Sequence, residues 1–265
     1  ADWTVSDDGR VYTFRLKESY WSTLPKAKKG ETPTVWEQPV KVTAADFVFG
    51  MQRAVMPETG SALAAQLFGI QNAQAVSEGK KAAEELGVKA VDEDTLTITL
   101  TEADAGFPVK LAGTPFMPCN REFFEYTAGR YGLEKAYVLT NGPFSLGAWN
   151  HGQSLLLNKN EQYHEAEDVY PATVRYVIQP EAETGEALLA GTLDAAALRP
   201  DQLEAAREQA FHLEVMDDTI EYVWLNNSVT ALSNASIRRA LRDALAYDRI
   251  AEQLDKTICT LAQGY

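Results

Sequence analysis

The stretch Thr140-Asn141-Gly142-Pro143-Phe144, continuing through Leu146 to Trp149, places the tightest local constraint on this chain. Asn-Gly-Pro is turn chemistry. Gly142 can take φ > 0 at no steric cost, and Pro143 fixes φ and removes a donor. Beyond the turn, strict alternation puts Phe144, Leu146 and Ala148 on one face of an extended segment, with Ser145, Gly147 and Trp149 on the other. Gly152 turns the chain back into Ser154–Leu157, and Asn158, Asn160 and Tyr163 follow. The pattern predicts a hairpin whose entry is held by a stiff turn.

A hairpin needs a core to pack on, and 265 residues at 45% hydrophobic supply one large enough for two domains or lobes. Lys and Arg total 24 against 38 Asp and Glu, a net charge of −14. That balance argues against nucleic acid and anionic membranes as partners, because phosphate neutralisation needs clustered Lys and Arg. No apolar run approaches the roughly 20 residues that span a bilayer. No signal peptide opens the chain, and Ala1-Asp2-Trp3 reads as the middle of a fold, so the expectation is a portion of a longer protein. Cys119 and Cys259 allow one disulfide at most and read as separate buried thiols. The histidines, His151, His164 and His212, are scattered without metal-ligand spacing, so neither a metal nor a cofactor is expected.

In chain order, Trp3–Asp8 leads to a turn at Gly9 and a strand over Val11–Leu16, with Tyr12, Phe14 and Leu16 on one face. Ser22–Glu37, carrying Lys26, Lys28 and Lys29, reads as a surface loop. Thr43 with Asp46 predicts a helix N-terminus, followed by the stripe Phe47, Val48, Met51, Ala54 and Val55. Arg53 in that helix reads as ion-paired or solvated rather than a ligand contact. Ile70–Ser77 is expected to be helical. Gly87–Val91 and Thr95–Leu100 read as strands joined by Asp92-Glu93-Asp94, which lacks the spacing of a calcium loop. A short helix over Ala105–Ala112, an extended segment over Thr114–Pro118 and a helix over Glu122–Ala128 precede the hairpin. Thr173–Ile178 predicts a strand, Pro180–Ala190 a helix, Leu193–Leu198 a short buried strand and Pro200–Gln209 a helix. This β-α-β-α order suggests an open α/β sheet, where ligands bind at strand ends. Ile220–Leu225 is strand-like, and helices are expected from Asn234 and from Asp248.

Several of these segments carry wording that resembles one family. T-N-G-P-F-x-L-x-x-W followed by N-x-N-x-x-Y is joined by W-x-x-S-D-D-G-x-x-Y-T-F-x-L from Trp3. V-T-A-x-D-F with Arg53-Ala54, G-V-K-A-x-D-x-x-T-L from Gly87, Gly191 with Asp194, and Ile237-Arg238 through Asp248-Arg249 complete the set. Together they resemble the family 5 extracellular solute-binding proteins, the peptide-binding receptors of bacterial ABC importers. The resemblance implies part of a type II periplasmic-binding-protein fold, an α/β two-lobed flytrap with mixed sheets. It divides the chain into an accessory α+β domain (1–118), part of lobe 1 (119–218), and the crossing strand with the start of lobe 2 (219–265).

On this resemblance the partners are a short peptide and ABC permease subunits. The location is extracytoplasmic, with membrane contact only through a lipid anchor outside this chain. The ligand-binding candidates are Ala197, Leu198 and Arg199, where the strand after Asp194 meets the cleft, and Tyr222 with Trp224 on the crossing strand. Core packing is the competing role for the two aromatics, and a loop-surface role for Arg199. Some family members carry a cysteine where Thr219 stands here, which leaves that second-lobe disulfide without support. No G-x-S-x-G, H-E-x-x-H, phosphate loop or G-x-G-x-x-G occurs, so the chain does not read as an enzyme. The alternative function is a binding module of the same fold for another cargo, an oligosaccharide or chelated metal, or for a sensor or regulator.

Overall fold

The computed structural model describes residues 2–22, 40–214 and 222–253. The basic loop at Lys26–Lys29, Thr219 and Cys259 lie outside them. The chain divides into two compact units, Ala1–Ile178 and Gln179–Tyr265.

The first unit begins with strands β1 (Asp2–Val5) and β2 (Val11–Arg15), a short pair β3 (Tyr20–Trp21) and β4 (Val40–Lys41), and helix α1 (Ala44–Val55). A short helix α2 (Ala73–Ser77) precedes strands β5 (Val88–Ala90) and β6 (Thr95–Thr99). These build an antiparallel sheet in the order β1-β2-β6-β5. The register sets Tyr12 opposite Ile98 and Phe14 opposite Leu96. All four are buried, as period-2 alternation requires of a half-buried sheet. Met51 and Val55 of α1 join that face in one core with Leu67, Ile70, Val76 and Phe107.

Thr43 starts α1 from an extended conformation (φ −118°, ψ 165°), and its amide donates to the Asp46 carboxylate at 2.8 Å. The Trp21 indole donates to the same oxygen at 3.4 Å. Burial pushes the Asp46 carboxyl above its ordinary range, against these hydrogen bonds, which act to lower it. Two carboxylates of the Asp92-Glu93-Asp94 turn pair with Lys41, whose Nζ lies 2.8 Å from Asp94 and 3.8 Å from Glu93.

Two expectations fail before the hairpin. The helix over Ile70–Ser77 begins only at Ala73. Asn72 takes a left-handed conformation (φ 67°), and Ile70 is drawn into a bridge with Leu100. Thr114–Phe116 is a 3₁₀ turn rather than extended chain, because Pro115 sits in its first turn, where a fixed φ and a missing N–H suit helical geometry. The short helices α3 (Phe107–Lys110) and α4 (Arg121–Tyr126) flank it.

The organising hairpin forms as β7 (Phe144–Asn150) and β8 (Ser154–Lys159), extended by β9 (Thr173–Val177) into an antiparallel sheet. Gly152 turns the hairpin at φ +69°. The expected face assignment is corrected, however. The register slips between Leu146 and Ala148, so Leu146 pairs with Leu157 and Ala148 with Leu156. Consecutive β8 residues point to opposite faces, so this bulge at Gly147 separates Leu146 from Ala148 and brings Trp149 onto the side of Leu146. A Cβ on Gly147 would stand 2.6 Å from Asn158 Nδ2, so the bulge closes over the Asn158 amide. Gly142 does not take positive φ. Its carbonyl instead accepts from Asn160 Nδ2 at 2.9 Å, while the Asn160 amide donates to the Pro143 carbonyl at 2.8 Å. The buried Asn160 thus ties the entry of the hairpin to its exit.

In the second unit, α5 (Glu181–Leu189) ends before Gly191, which takes φ +71°. A 3₁₀ turn at Pro200–Gln202 leads into α6 (Leu203–Glu208). After Asn226 come α7 (Thr230–Ser233), α8 (Ala235–Ala244) and α9 (Tyr247–Gln253). The Asn234 side chain caps α8 by accepting from Ser236 N at 2.8 Å. Residues 193–198 are not the expected buried strand, nor are 222–225 a strand. An apolar run becomes a strand only with a ladder partner, and among the described residues neither segment has one. Every ladder among the described residues is antiparallel.

Candidate functional site

Three sequence candidates, Ala197, Leu198 and Arg199, are consecutive on the extended segment between α5 and α6. Ala197 is exposed, and Leu198 and Arg199 are half-buried. Polar groups, not a ladder, hold the segment. Thr184 Oγ1 on α5 donates to the Ala197 carbonyl at 3.3 Å. The Arg199 amide donates to Gln202 Oε1 at 3.1 Å, and the Gln202 side chain is buried. The Arg199 guanidinium forks onto Asp201, with Nε and Nη2 at 3.1 and 3.0 Å from its two oxygens, and Nη1 donates to the Ala182 carbonyl at 3.1 Å. The Asp201 carboxyl is lowered first by that hydrogen bond. Arg199 is therefore already engaged with a carboxylate of its own segment.

Among the described residues, the amides of Asp194, Ala195, Ala196, Ala197 and Leu198 donate to no backbone carbonyl. An extended segment in this condition presents main-chain donors and acceptors to another extended chain, the chemistry of strand addition. Tyr222 and Trp224 also stand on non-helical chain, with ring centroids 6.4 Å apart. They are 58% and 76% exposed. Inclined at 54° to one another, the two rings present apolar faces and polar edges.

The first unit holds a different polar cluster. The Arg53 guanidinium lies 4.5 Å from the centre of the Phe124 ring and 5.0 Å from that of Tyr131. Arg53 is thus half-buried between rings rather than solvated. The Tyr131 hydroxyl and the Cys119 thiol share a hydrogen bond, and burial raises both pKa values. Cys119 is a buried free thiol. Among the described residues, no group of three His, Cys, Asp or Glu is placed to hold a metal, and no helix is long and apolar enough to cross a membrane. Gln202 and Thr184 were not singled out in the sequence. The signal for Gln202 is its place three residues after Arg199, the spacing at which a side chain reaches back to a backbone amide.

Comparison with known proteins agrees with this architecture. The chain is 28% identical over 257 residues to the oligopeptide-binding protein OppA of Bacillus subtilis, covering 94% of this chain and 44% of that protein. It is equally 28% identical to the probable deoxycholate-binding periplasmic protein YgiS of Escherichia coli, covering 95% of this chain and 45% of the relative. The structure of Listeria monocytogenes OppA bound to peptide superposes with a TM-score of 0.67 at 28% identity, over 78% of this chain and 38% of that one. Burkholderia pseudomallei OppA shares the fold at a TM-score of 0.82 and 23% identity, over 95% of this chain and 47% of that one. The chain thus spans under half the length of these relatives and carries part of their mixed α/β fold. The model of the bacterial extracellular solute-binding proteins, family 5 Middle, matches residues 1–263, and the chain belongs to that family.

Proposed function

We propose that this chain is part of the extracytoplasmic binding component of an ABC importer, which takes short peptides between two lobes and delivers them to a membrane permease. The observation that carries the reading is the similarity to Listeria monocytogenes OppA bound to peptide, taken with an extended, polar-anchored segment at 193–199. Residues 1–118 form an accessory domain, 119–218 part of the first lobe, and 219–265 the crossing segment and start of the second. Ala197, Leu198 and Arg199 meet the peptide main chain, and Tyr222 and Trp224 face its side chains. A peptide excluded from water must have its backbone groups satisfied, and strand-edge donors and acceptors do this without regard to sequence. Binding closes the lobes by a hinge motion and breaks no bond. Anchorage is through a lipid outside this chain.

Native mass spectrometry of the full-length protein, purified without denaturation, tests the assignment. A ladder of adducts with peptide masses is the expected result. A single steroid-sized adduct favours the second reading, another cargo on the same fold, which the similarity to the deoxycholate-binding relative supports. No adduct, with none gained after a peptide mixture is added, contradicts the peptide assignment.

A further inference from the structure

We propose that Gly185, acting with Gln202, positions the backbone of Ala197–Arg199 for ligand, an inference that rests on the peptide-binding reading of that segment. Glycine is among the poorest residues for a helix interior, yet Gly185 sits in the middle of α5. The reason is steric. A Cβ on Gly185 would lie 2.0 Å from Gln202 Oε1, 2.4 Å from its Cδ and 2.6 Å from its Nε2. The missing side chain lets the Gln202 amide lie directly on the helix. Gln202 is only 7% exposed there, and its Oε1 accepts from the Arg199 amide at 3.1 Å. The neighbouring positions of α5 hold the same segment: the Ala182 carbonyl accepts from Arg199 Nη1, and Thr184 Oγ1 donates to the Ala197 carbonyl.

Two of these contacts seize main-chain atoms, Ala197 O and Arg199 N. They fix the path of the segment without specifying which side chain a ligand meets. Gly185 and Gln202 are therefore positioning residues, acting on ligand through 197–199. Pre-organising a loop in its bound path raises affinity by lowering the ordering cost of binding. The arrangement also gives Gly185→Ala a sign that depends on Gln202. With Gln202 present, the new methyl expels its amide and frees the Arg199 N–H. With Gln202 truncated, the methyl fills vacated space, and alanine favours the helix.

The test is calorimetry at 10 °C on the full-length protein with alanine peptides of two to six residues, together with thermal melting. Gly185→Ala is expected to weaken the tightest of these peptides about tenfold. Gln202→Ala should weaken it similarly, and adding Gly185→Ala to Gln202→Ala should cause no further loss. A purely structural role would lower the melting temperature and leave affinity at 10 °C unchanged. Should Gly185→Ala not fold, Gln202→Met, of similar length but without the acceptor, carries the same expectation of about tenfold weaker binding. Wild-type binding that Gly185→Ala and Gln202→Met leave intact, or losses that simply add in the double variant, would overturn the positioning role alone. Wild-type protein that binds none of the peptides would overturn the peptide reading and the positioning role with it.

Discussion

Two helices of this chain each carry a glycine in their interior, and the two glycines face different things. Gly50 of α1 abuts backbone: a Cβ there would stand 2.4 Å from the Met117 carbonyl oxygen and 3.2 Å from the Cys119 amide. Gly185 of α5 abuts the far end of a glutamine side chain. The first unit is fixed by burial, with α1 pressed onto a sheet face and onto the chain at Met117–Cys119, so a new side chain at Gly50 must displace backbone. In the second unit the segment at 197–202 is fixed by hydrogen bonds from side chains, which can be displaced without unfolding a core. Rigid packing in one place and adjustable polar seating in another is the distribution expected of a scaffold that carries a binding segment.

The sharpest way to break this contrast is to attack the packed region. Phe123 is fully buried, with the rings of Tyr126 and Tyr131 at 6.2 and 6.1 Å. Phe123→Ala should cost about 3–5 kcal/mol by denaturant unfolding. Gly50→Ala comes next, at about 1–3 kcal/mol, because the Met117 backbone must move. If Gly185→Ala proves as destabilising as Gly50→Ala, the distinction between the two helices fails. Asn160→Ala leaves the hairpin clasp open and Gly142 without its side-chain donor, and should cost about 1–3 kcal/mol.

A pH titration sharpens the comparison further. Burial raises the Asp46 pKa above 3.8, so the folded state binds this proton more tightly than the unfolded chain. The stability that protonation of Asp46 confers is fully present below 3.8 and is lost as pH rises through the raised folded value. Unfolding of wild type and Asp46→Asn compared from pH 3 to 7 should therefore show wild type gaining on the variant as pH falls. The carboxylates of half-buried Asp104 and exposed Asp201 behave oppositely. Their lowered pKa values give stability above the usual carboxylate range that is lost in acid. The smallest effect belongs to Lys17→Met, which removes a half-exposed pair with Glu165 at 2.9 Å. It should change stability least of these variants, and less again in high salt.

What could be read in the sequence follows the same division. Period-2 alternation placed Tyr12 and Phe14 correctly because one face of that sheet is buried and register is enforced. The N-cap at Thr43 and the helix end at Gly191 were visible as residue chemistry. Alternation failed across Gly147, because a bulge inserts one residue and reverses every later side chain, and a glycine alone does not announce it. Leu193–Leu198 looked like a buried strand because apolar composition reports burial potential and says nothing about a ladder partner. The anchors of the candidate site were the least legible part. Thr184, Gln202 and Asp201 are ordinary surface residue types, and their roles emerge only when α5 lies against the segment. The spacing of Gln202 from Arg199 and a glycine within a helix, Gly185, are the traces of that close approach in the sequence.

Amide hydrogen exchange on the full-length protein, with and without a bound peptide, tests the central assignment most directly. If Asp194–Leu198 lines the peptide by main-chain pairing, those amides should slow strongly on binding, with Gly50 and its neighbours in α1 unchanged. Peptide that binds and protects other segments while 194–198 exchanges as before would contradict it.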